Sequence, residues 1–354
     1  MRFDTILIFK KTDGESLKKV FAAALLLFFC CGCGKTQNPY TAEQFDLFDT
    51  VISVTAYCDT RAEFDALRDT AFSEFARLDK LFDIYEGEEG SVKTLNEHAG
   101  MGPVPLAPEV LALLSFSKDA YELTDGSVNV MMGAVLSLWH DARTAVEKAP
   151  ESAALPDRAA LKAAAQHCDI SALVIDETGG TAELTDAEAS VDVGAVAKGY
   201  AVEQVAQKLM AEGFDCFLIS AGGNVRAHGT PPGKEGWRVG VQSPTDASQI
   251  ATVVTLTDGS VVTSGGYLRY FEVDGVRYHH IIDPVTLMPA DAMLSATVLC
   301  EDSGIADALS TAFFMRTADQ AKDLEERLTN TRVIRIEKDG TLKDEGEYRF
   351  AQAD

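Results

Sequence analysis

Two spacings of apolar residues organise this chain. Between residues 62 and 82 they return at Phe64, Leu67, Ala71, Phe75 and Leu78, one face of a helix. Residues 107–123 form a second amphipathic helix, stopped near Thr124-Asp125-Gly126. Residues 45–57 alternate instead, through Val51, Ile52, Val54 and Ala56, and predict a strand. From residue 191 onward the two patterns interleave. A strand-like step at 191–193 leads into a helix at 197–212, and 216–220 reads as a buried strand ending in glycines. Further strands are predicted at 237–242, 251–256, 260–263, 270–273 and 278–282. A core helix at 303–315 and a closing strand at 332–336 complete the order. Residues 141–166, rich in Ala, Glu and Lys, read as surface helix or insertion without chemical signal. Interleaved hairpins and long helices predict an α+β fold of mixed antiparallel sheets packed with helices. One catalytic domain over residues 45–350 is the simplest division.

The N-terminus follows a different logic. Lys18 and Lys19 precede an apolar run at 20–29, and Cys30-Cys31-Gly32-Cys33 comes next. Ten apolar residues are too few to span a bilayer but fit the hydrophobic region of a signal peptide. Cys33, with Gly32 before it, is the expected lipidated residue of a lipoprotein signal at 1–33; Cys30, with Leu27 three residues earlier, is the alternative. The plainer readings are an uncleaved anchor or a later start codon, because residues 1–17 make a long leading region. Residues 34–44 read as a polar tether. The expected location is the extracytoplasmic side of the cell membrane, held by a lipid anchor.

With 354 residues, 46% of them hydrophobic, the chain can bury a large core. Its 31 basic and 55 acidic residues give a formal charge of −24, which excludes nucleic-acid binding by a basic surface. An anionic substrate would need local backbone amides, cations or a metal. Cys58, Cys168, Cys216 and Cys300 lack C-x-x-C spacing, which argues against a zinc or thioredoxin-like site and leaves a disulfide open.

Four segments carry candidate chemistry. In Val191-Asp192-Val193-Gly194-Ala195-Val196-Ala197-Lys198-Gly199-Tyr200, a strand delivers Asp192 to a tight turn and a helix begins. Such a helix start favours anions, and Lys198 is within reach of a phosphate. The corners Ser220-Ala221-Gly222-Gly223-Asn224 and Thr263-Ser264-Gly265-Gly266-Tyr267, with Arg269 just beyond, suggest a cradle without naming its contents. In Tyr278-His279-His280-Ile281-Ile282-Asp283-Pro284, strand alternation sets His280, Ile282 and Pro284 opposite His279, Ile281 and Asp283. In Ala306-Asp307-Ala308-Leu309-Ser310-Thr311, Asp307, Ser310 and Thr311 share one helix face and offer hard oxygen atoms suited to Mg²⁺. Each segment also has an ordinary structural reading as a turn, a core histidine or a cap.

In this order and spacing the segments resemble the ApbE family of FAD:protein FMN transferases. The resemblance runs from Phe45-Asp46-Leu47-Phe48-Asp49-Thr50 to the Asp307–Thr311 helix. It implies a T-fold-related domain of two lobes. It further implies that Phe48, Tyr85, Thr124, Asp125, Gly126, Asp192, Lys198 and Ile281 line an FAD pocket, beside the cradle residues Gly222, Gly223 and Ser264. The backbone oxygen of Ala195, the Asp307 carboxylate and the Thr311 hydroxyl would hold Mg²⁺. Many relatives carry an acidic or small residue at the position of Ser310, and a serine adds no charge there. FAD is the implied substrate, giving FMN to a Thr or Ser hydroxyl and releasing AMP, with His280 or Asp283 as base; the resemblance does not decide between them. The family's acceptors carry a D-G-x-[ST]-G-[AS]-T-like motif, as in membrane redox-pump subunits. Asp125-Gly126-Ser127 and Asp258-Gly259-Ser260 lack its continuation, so the chain reads as modifier and not substrate. A lipid-tethered flavin carrier and an FAD pyrophosphatase giving FMN and AMP are the alternatives.

Overall fold

The computed structural model describes residues 38–149, 154–267 and 269–349. The signal segment, Cys33 and the boundary at residue 350 lie outside them. In chain order the strands are β1 (Tyr40–Leu47), β2 (Thr50–Ala56), β3 (Val104–Pro105), β4 (Leu173–Asp176) and β5 (Thr181–Leu184). They continue as β6 (Phe217–Ala221), β7 (Asn224–His228), β8 (Trp237–Gln242), β9 (Ile250–Leu256) and β10 (Gly259–Gly265). The last are β11 (Tyr270–Val273), β12 (Val276–His279), β13 (Ser295–Cys300), β14 (Arg332–Ile336) and β15 (Leu342–Gly346). The helices are α1 (Arg61–Phe82), α2 (Val92–Glu97), α3 (Pro108–Leu123), α4 (Gly133–Lys148), α5 (Arg158–Ala164), α6 (Ala197–Ala211), α7 (Ser303–Met315) and α8 (Ala318–Glu325).

Eight strands form one sheet in the order β1-β2-β6-β7-β10-β13-β14-β15, every neighbouring pair antiparallel. Successive side chains of β6 show how both faces are used. Phe217, Ile219 and Ala221 join a core with α1, α6 and α7, while Leu218 faces Trp237, Val239 and Val254 of the β8–β9 ribbon. Cover on both sides explains why 217–221 is an unbroken buried run where a one-sided strand would alternate. A smaller cluster joins Val135 and Trp139 of α4 to Leu161 of α5 and to Phe271 and Val273 of β11. The Trp139 indole N–H donates to the Leu287 carbonyl, which ties α4 to the segment after His280.

Four expectations change. Residues 45–57 are not one strand: the chain reverses between β1 and β2, with positive φ at Asp46 (68°), Phe48 (50°) and Asp49 (52°). No glycine or proline marks that turn, and apolar alternation runs through it. Strand β1 begins at Tyr40, inside the stretch read as tether; its polar composition reflects an exposed sheet edge. Within the surface segment at 141–166 the described residues include the second half of α4 and all of α5, and α4 has a buried face. Finally, β12 ends at His279: the His280 N–H still meets the Arg269 carbonyl (3.3 Å) in register with the Tyr270–His279 pair, and beyond it the strand stops. Alternation therefore cannot assign faces from Ile281 to Pro284. Among the described residues Cys58, Cys168, Cys216 and Cys300 are free, and no helix is long and apolar enough to cross a membrane.

Candidate active site

The site is built where α6, α7 and the β6–β7 turn meet. Gly222 and Gly223 take φ of 53° and 103° in that turn, and a Cβ on Gly222 would lie 2.5 Å from Thr50 Oγ1. The turn delivers Asn224, 1% exposed, to the side chain of Asp307 on α7. Helix α6 comes so close that a Cβ on Gly199 would stand 2.4 Å from that of Asp307. The gap is closed by the Gly199 N–H, which donates to Asp307 Oδ2 at 2.8 Å. Gly199 is the third residue of α6, so its N–H is one that a helix start leaves without a helical acceptor, and the carbonyl of Ala195, ahead of the N-cap Val196, takes no helical N–H.

Burial pushes the Asp307 carboxyl above its ordinary range, and Lys198, the Gly199 amide and the Asn224 amide act against it. A buried carboxylate beside unused oxygen atoms suits a hard cation. Asn224 supplies one such atom: its Oδ1 is buried and without a protein partner. Thr311 supplies another, by a simple count of protons. The Ser310 hydroxyl donates to the Asp307 carbonyl (3.0 Å), so its contact with Ser264 Oγ (2.9 Å) must use the Ser264 proton. The contact between Ser264 and Thr311 (3.2 Å) must then use the Thr311 proton. That leaves the Thr311 lone pairs open. Ser310 and Ser264 thus orient Thr311 and do not compete with it. Among the described residues no three His, Cys, Asp or Glu side chains group as metal ligands, so a cation here would rest on one carboxylate and neutral oxygens.

A second row of groups faces the same region. The strand-like step predicted at 191–193 is irregular chain, and Asn96 grips it from both sides, donating to the Val191 carbonyl (2.9 Å) and accepting from its N–H (2.8 Å). Next to it, Asp192 accepts from the Gly194 N–H at 2.8 Å. Crowding by protein raises the Asp192 carboxyl above its usual range; the Gly194 bond, His140 and Lys198 pull it back. Lys198 Nζ lies 3.5 Å from the Gly194 carbonyl and acts on Asp192, Asp307 and His280 together. Tyr85, 57% exposed, lies against the His140 ring at 5.2 Å, a flat open surface for a planar ligand. Arg143 donates to His140 Nδ1 at 2.9 Å. Arg269 donates to the Asp49 carbonyl at 2.6 Å, which pins the strained turn at 46–49.

The two adjacent histidines are used differently. His279 is closed: Nε2 donates to the Ala290 carbonyl (2.8 Å), Nδ1 accepts from the Ile281 N–H (3.3 Å), and the ring packs edge-on to Phe314. His280 donates from Nδ1 to the Arg269 carbonyl (3.2 Å), which fixes its tautomer and leaves Nε2 as a proton acceptor. Its outer edge is exposed, yet surrounding protein displaces its hydration, and with Arg269 and Lys198 nearby it stays below its ordinary pKa. Asp283 serves a turn, accepting from the Val285 N–H (2.7 Å) while its backbone bonds Met288 and Leu287. Both candidate bases keep one atom outside these bonds, His280 Nε2 and Asp283 Oδ2, and His280 also stands in the field of Arg269 and Lys198.

Other expected pocket residues have structural duties. Phe48 donates its N–H to Asp79 (2.7 Å) and packs edge-on against Phe75 and Phe82. Ile281 is buried and accepts from the Ala290 N–H. Thr124-Asp125-Gly126 closes α3: the Thr124 hydroxyl bonds Ala120 and Val128, and Asp125 pairs with Arg316 (3.0 Å) and Arg327 (2.5 Å). Asn96, His140, Arg143 and Asn224 were missed as site residues. Of these, only Asn224 carried a local signal, as the last residue of a glycine corner.

A family model described as the ApbE family matches residues 48–334. A protein of Treponema pallidum named FAD:protein FMN transferase is 33% identical over 315 residues, covering 82% of this chain and 84% of its own. A Klebsiella pneumoniae protein of the same name is 32% identical, covering 71% and 75%. The crystal structure of the ApbE protein of Thermotoga maritima superposes with a TM-score of 0.77 at 28% identity, over 86% of this chain and 96% of that one. The flavin transferase ApbE of Vibrio cholerae shares the fold, with a TM-score of 0.73 at 24% identity over 88% and 98%.

Proposed function

The chain belongs to the ApbE family, and from that premise we propose that it transfers FMN from FAD to a Thr or Ser hydroxyl of a target protein. The observation that carries the chemistry is the corner of Asp307, Asn224 and Thr311, whose open oxygens adjoin a carboxylate that shares the field of Lys198 with the His280 base. Asp307, Thr311 and the carbonyl of Ala195, with Asn224 Oδ1 adjoining, would hold Mg²⁺. The ion would supply charge neutralisation at the pyrophosphate.

The chain's own groups account for the remaining demands. Lys198 and Arg269 place positive charge near a dianionic substrate in a protein of net charge −24. Tyr85 offers its face to the flat ring. The acceptor oxygen attacks the phosphorus of the FMN half, its bond to the AMP half breaks, and AMP leaves. His280 Nε2 takes the hydroxyl proton, its neutral form kept by the depressed pKa. Asp192, held by the Gly194 amide, is an acceptor for the substrate's own donors.

Acceptors with a D-G-x-[ST]-G-[AS]-T-like sequence, such as membrane redox-pump subunits, fit this reading. So does a lipid anchor at Cys33 on the extracytoplasmic face. Only six residues lie between Cys33 and Tyr40, where β1 begins, a reach of about 24 Å over seven Cα steps even when extended. The domain would then work at the membrane surface. Purified protein mixed with FAD, Mg²⁺ and an acceptor peptide tests the proposal by mass spectrometry. A covalent FMN adduct on the hydroxyl is expected. Release of FMN and AMP without adduct, or FAD bound and intact, would replace transfer with hydrolysis or carriage.

A further inference from the structure

Behind the Asp307 corner the same three elements meet a second time. Glu203 lies four residues after Gly199 on α6, and Ser303 four residues before Asp307 on α7. Arg226 lies two residues after Asn224 on β7. Each pair shares one face of its element, so the two meetings are stacked layers one helical turn apart. In the outer layer the Gly199 N–H and the Asn224 amide hold Asp307. In the inner layer one carboxylate joins everything. Glu203 Oε2 accepts from the Ser303 N–H at 2.9 Å and from Arg226 Nε at 3.2 Å, and Oε1 accepts from Gln207 at 2.7 Å. Glu203 is 5% exposed and Arg226 3%. The far side of the guanidinium is fixed by the Ala227 carbonyl and by Asp258 (2.5 Å), which also takes His228 Nδ1 at 2.7 Å.

We propose that Glu203, through its bridge to Ser303 and Arg226, is a positioning residue that sets Asp307 and Asn224 at the spacing a divalent cation needs. Apart from Asp307 itself, whose own placement is the question, Glu203 is the side chain that ties α6, α7 and β7 together. An α7 N-terminal amide is well served by an anion, but that alone does not require a buried arginine on β7. The bridge fixes a distance between elements: α7 carries the carboxylate, β7 the amide oxygen, and α6 the N–H that orients the carboxylate. Loosening it would let the ligands drift apart without removing any of them. This inference rests on the cation reading of the corner.

Glu203→Gln tests it, since the amide keeps the shape and an acceptor for Ser303 but loses the charge that holds Arg226. Two metal readouts are followed on the full chain: Mn²⁺ binding without FAD, measured from the paramagnetic resonance of the free ion, and half-saturating Mg²⁺ in FMN transfer. Both are expected to weaken roughly 10- to 100-fold, the usual effect of losing a group that orients a metal ligand. Transfer should recover toward wild type at high Mg²⁺. FAD binding in chelator should hold within twofold, a pattern that a general loss of structure would not give. Folding is checked by the metal-free melt; should the glutamine variant not fold, Glu203→Asp, one methylene short, carries the same measurements. A folded variant whose metal affinities stay within twofold of wild type overturns the inference, as does a wild-type chain that binds no Mn²⁺. A wild-type chain that binds Mn²⁺ but modifies no acceptor sinks the transfer reading instead, and Glu203 is still judged by metal binding.

Discussion

Two polar corners at opposite ends of α7 make an instructive pair. At Thr124-Asp125-Gly126, near Arg316, the oxygens are engaged with protein: a hydroxyl between two turns of chain, a carboxylate between two arginines, and a carbonyl taking Arg316; the buried atom left open there is a donor, Arg316 Nη1, which cannot bind a cation. At Asp307 the side chains are just as ordered but not fully engaged. Asn224 Oδ1 has no protein partner, the Ala195 carbonyl lies ahead of the α6 N-cap and takes no helical N–H, and Thr311 keeps its lone pairs. Closed networks rigidify a fold; a buried atom left open at the end of such a network has a cost, and a ligand can offset it. His279 and His280 repeat the contrast within two residues.

Asp307→Asn should break the open corner most completely. It removes the only carboxylate of the proposed ligand set while keeping an acceptor for the Gly199 N–H. Several kcal/mol of charge stabilisation would go with the cation, a loss on the order of 10³-fold in transfer rate. The wild-type melt should rise with added Mg²⁺ and the variant melt should not. A variant that keeps both its rate and its Mg²⁺ response would show that the corner is only structural.

Next in size is His280→Gln, expected to cost about 10²- to 10⁴-fold in turnover with little change in FAD affinity. Asp283→Asn keeps the acceptor for the Val285 N–H and should leave turnover within a few-fold. The reverse ranking would make Asp283 the base. The pH profile adds a sign. His280 is held below its ordinary value of 6.5, so its neutral form persists as pH falls through that point. The acid limb of kcat/KM assigned to it should therefore lie below pH 6.5 and vanish in the glutamine variant. A limb at or above 6.5 would contradict the environment described for the ring.

Thr311 gives a finer cut. Thr311→Val removes the lone pairs and the proton that Ser264 accepts, and should raise half-saturating Mg²⁺ about tenfold. Thr311→Ser keeps both and should restore it. If valine and serine behave alike, the hydroxyl relay carries no ligand.

These contrasts show what the sequence could carry. The helices 62–82, 107–123, 197–212 and 303–315 were legible because their apolar stripes face one core, and glycines marked the corners at 222–223 and 265–266. The Asp192–Lys198 and Asp307–Thr311 segments were legible as ordered motifs. Asn96, His140 and Arg143 were not, because their roles depend on contacts across the fold: Asn96 brackets a residue 95 positions away. The reversal at 46–49 was hidden because non-glycine residues adopt positive φ there, held by Asp79 and Arg269 from distant elements. The openness of an oxygen, which separates the two corners, is written in three dimensions only.

The smallest effect is expected at the closed corner, and it tests the comparison from the other side. Asp125 is held below the usual carboxylate range first by its bond to Arg327 and then by Arg316. A depressed carboxyl contributes stability above its unfolded pKa and loses it as pH falls through the folded value. Its side chain is more than half exposed, so solvent screens the pair and the contribution is at most about 1 kcal/mol. Asp125→Asn should therefore lower the melting temperature by no more than about 2 °C at neutral pH. The gap should close as pH drops below the ordinary carboxylate range, because the wild type is then also neutral there. FAD affinity should stay within twofold. A clear loss of FAD binding with an unchanged melt would return Asp125 to the flavin pocket that the family resemblance implied, and openness would no longer separate chemistry from architecture in this fold.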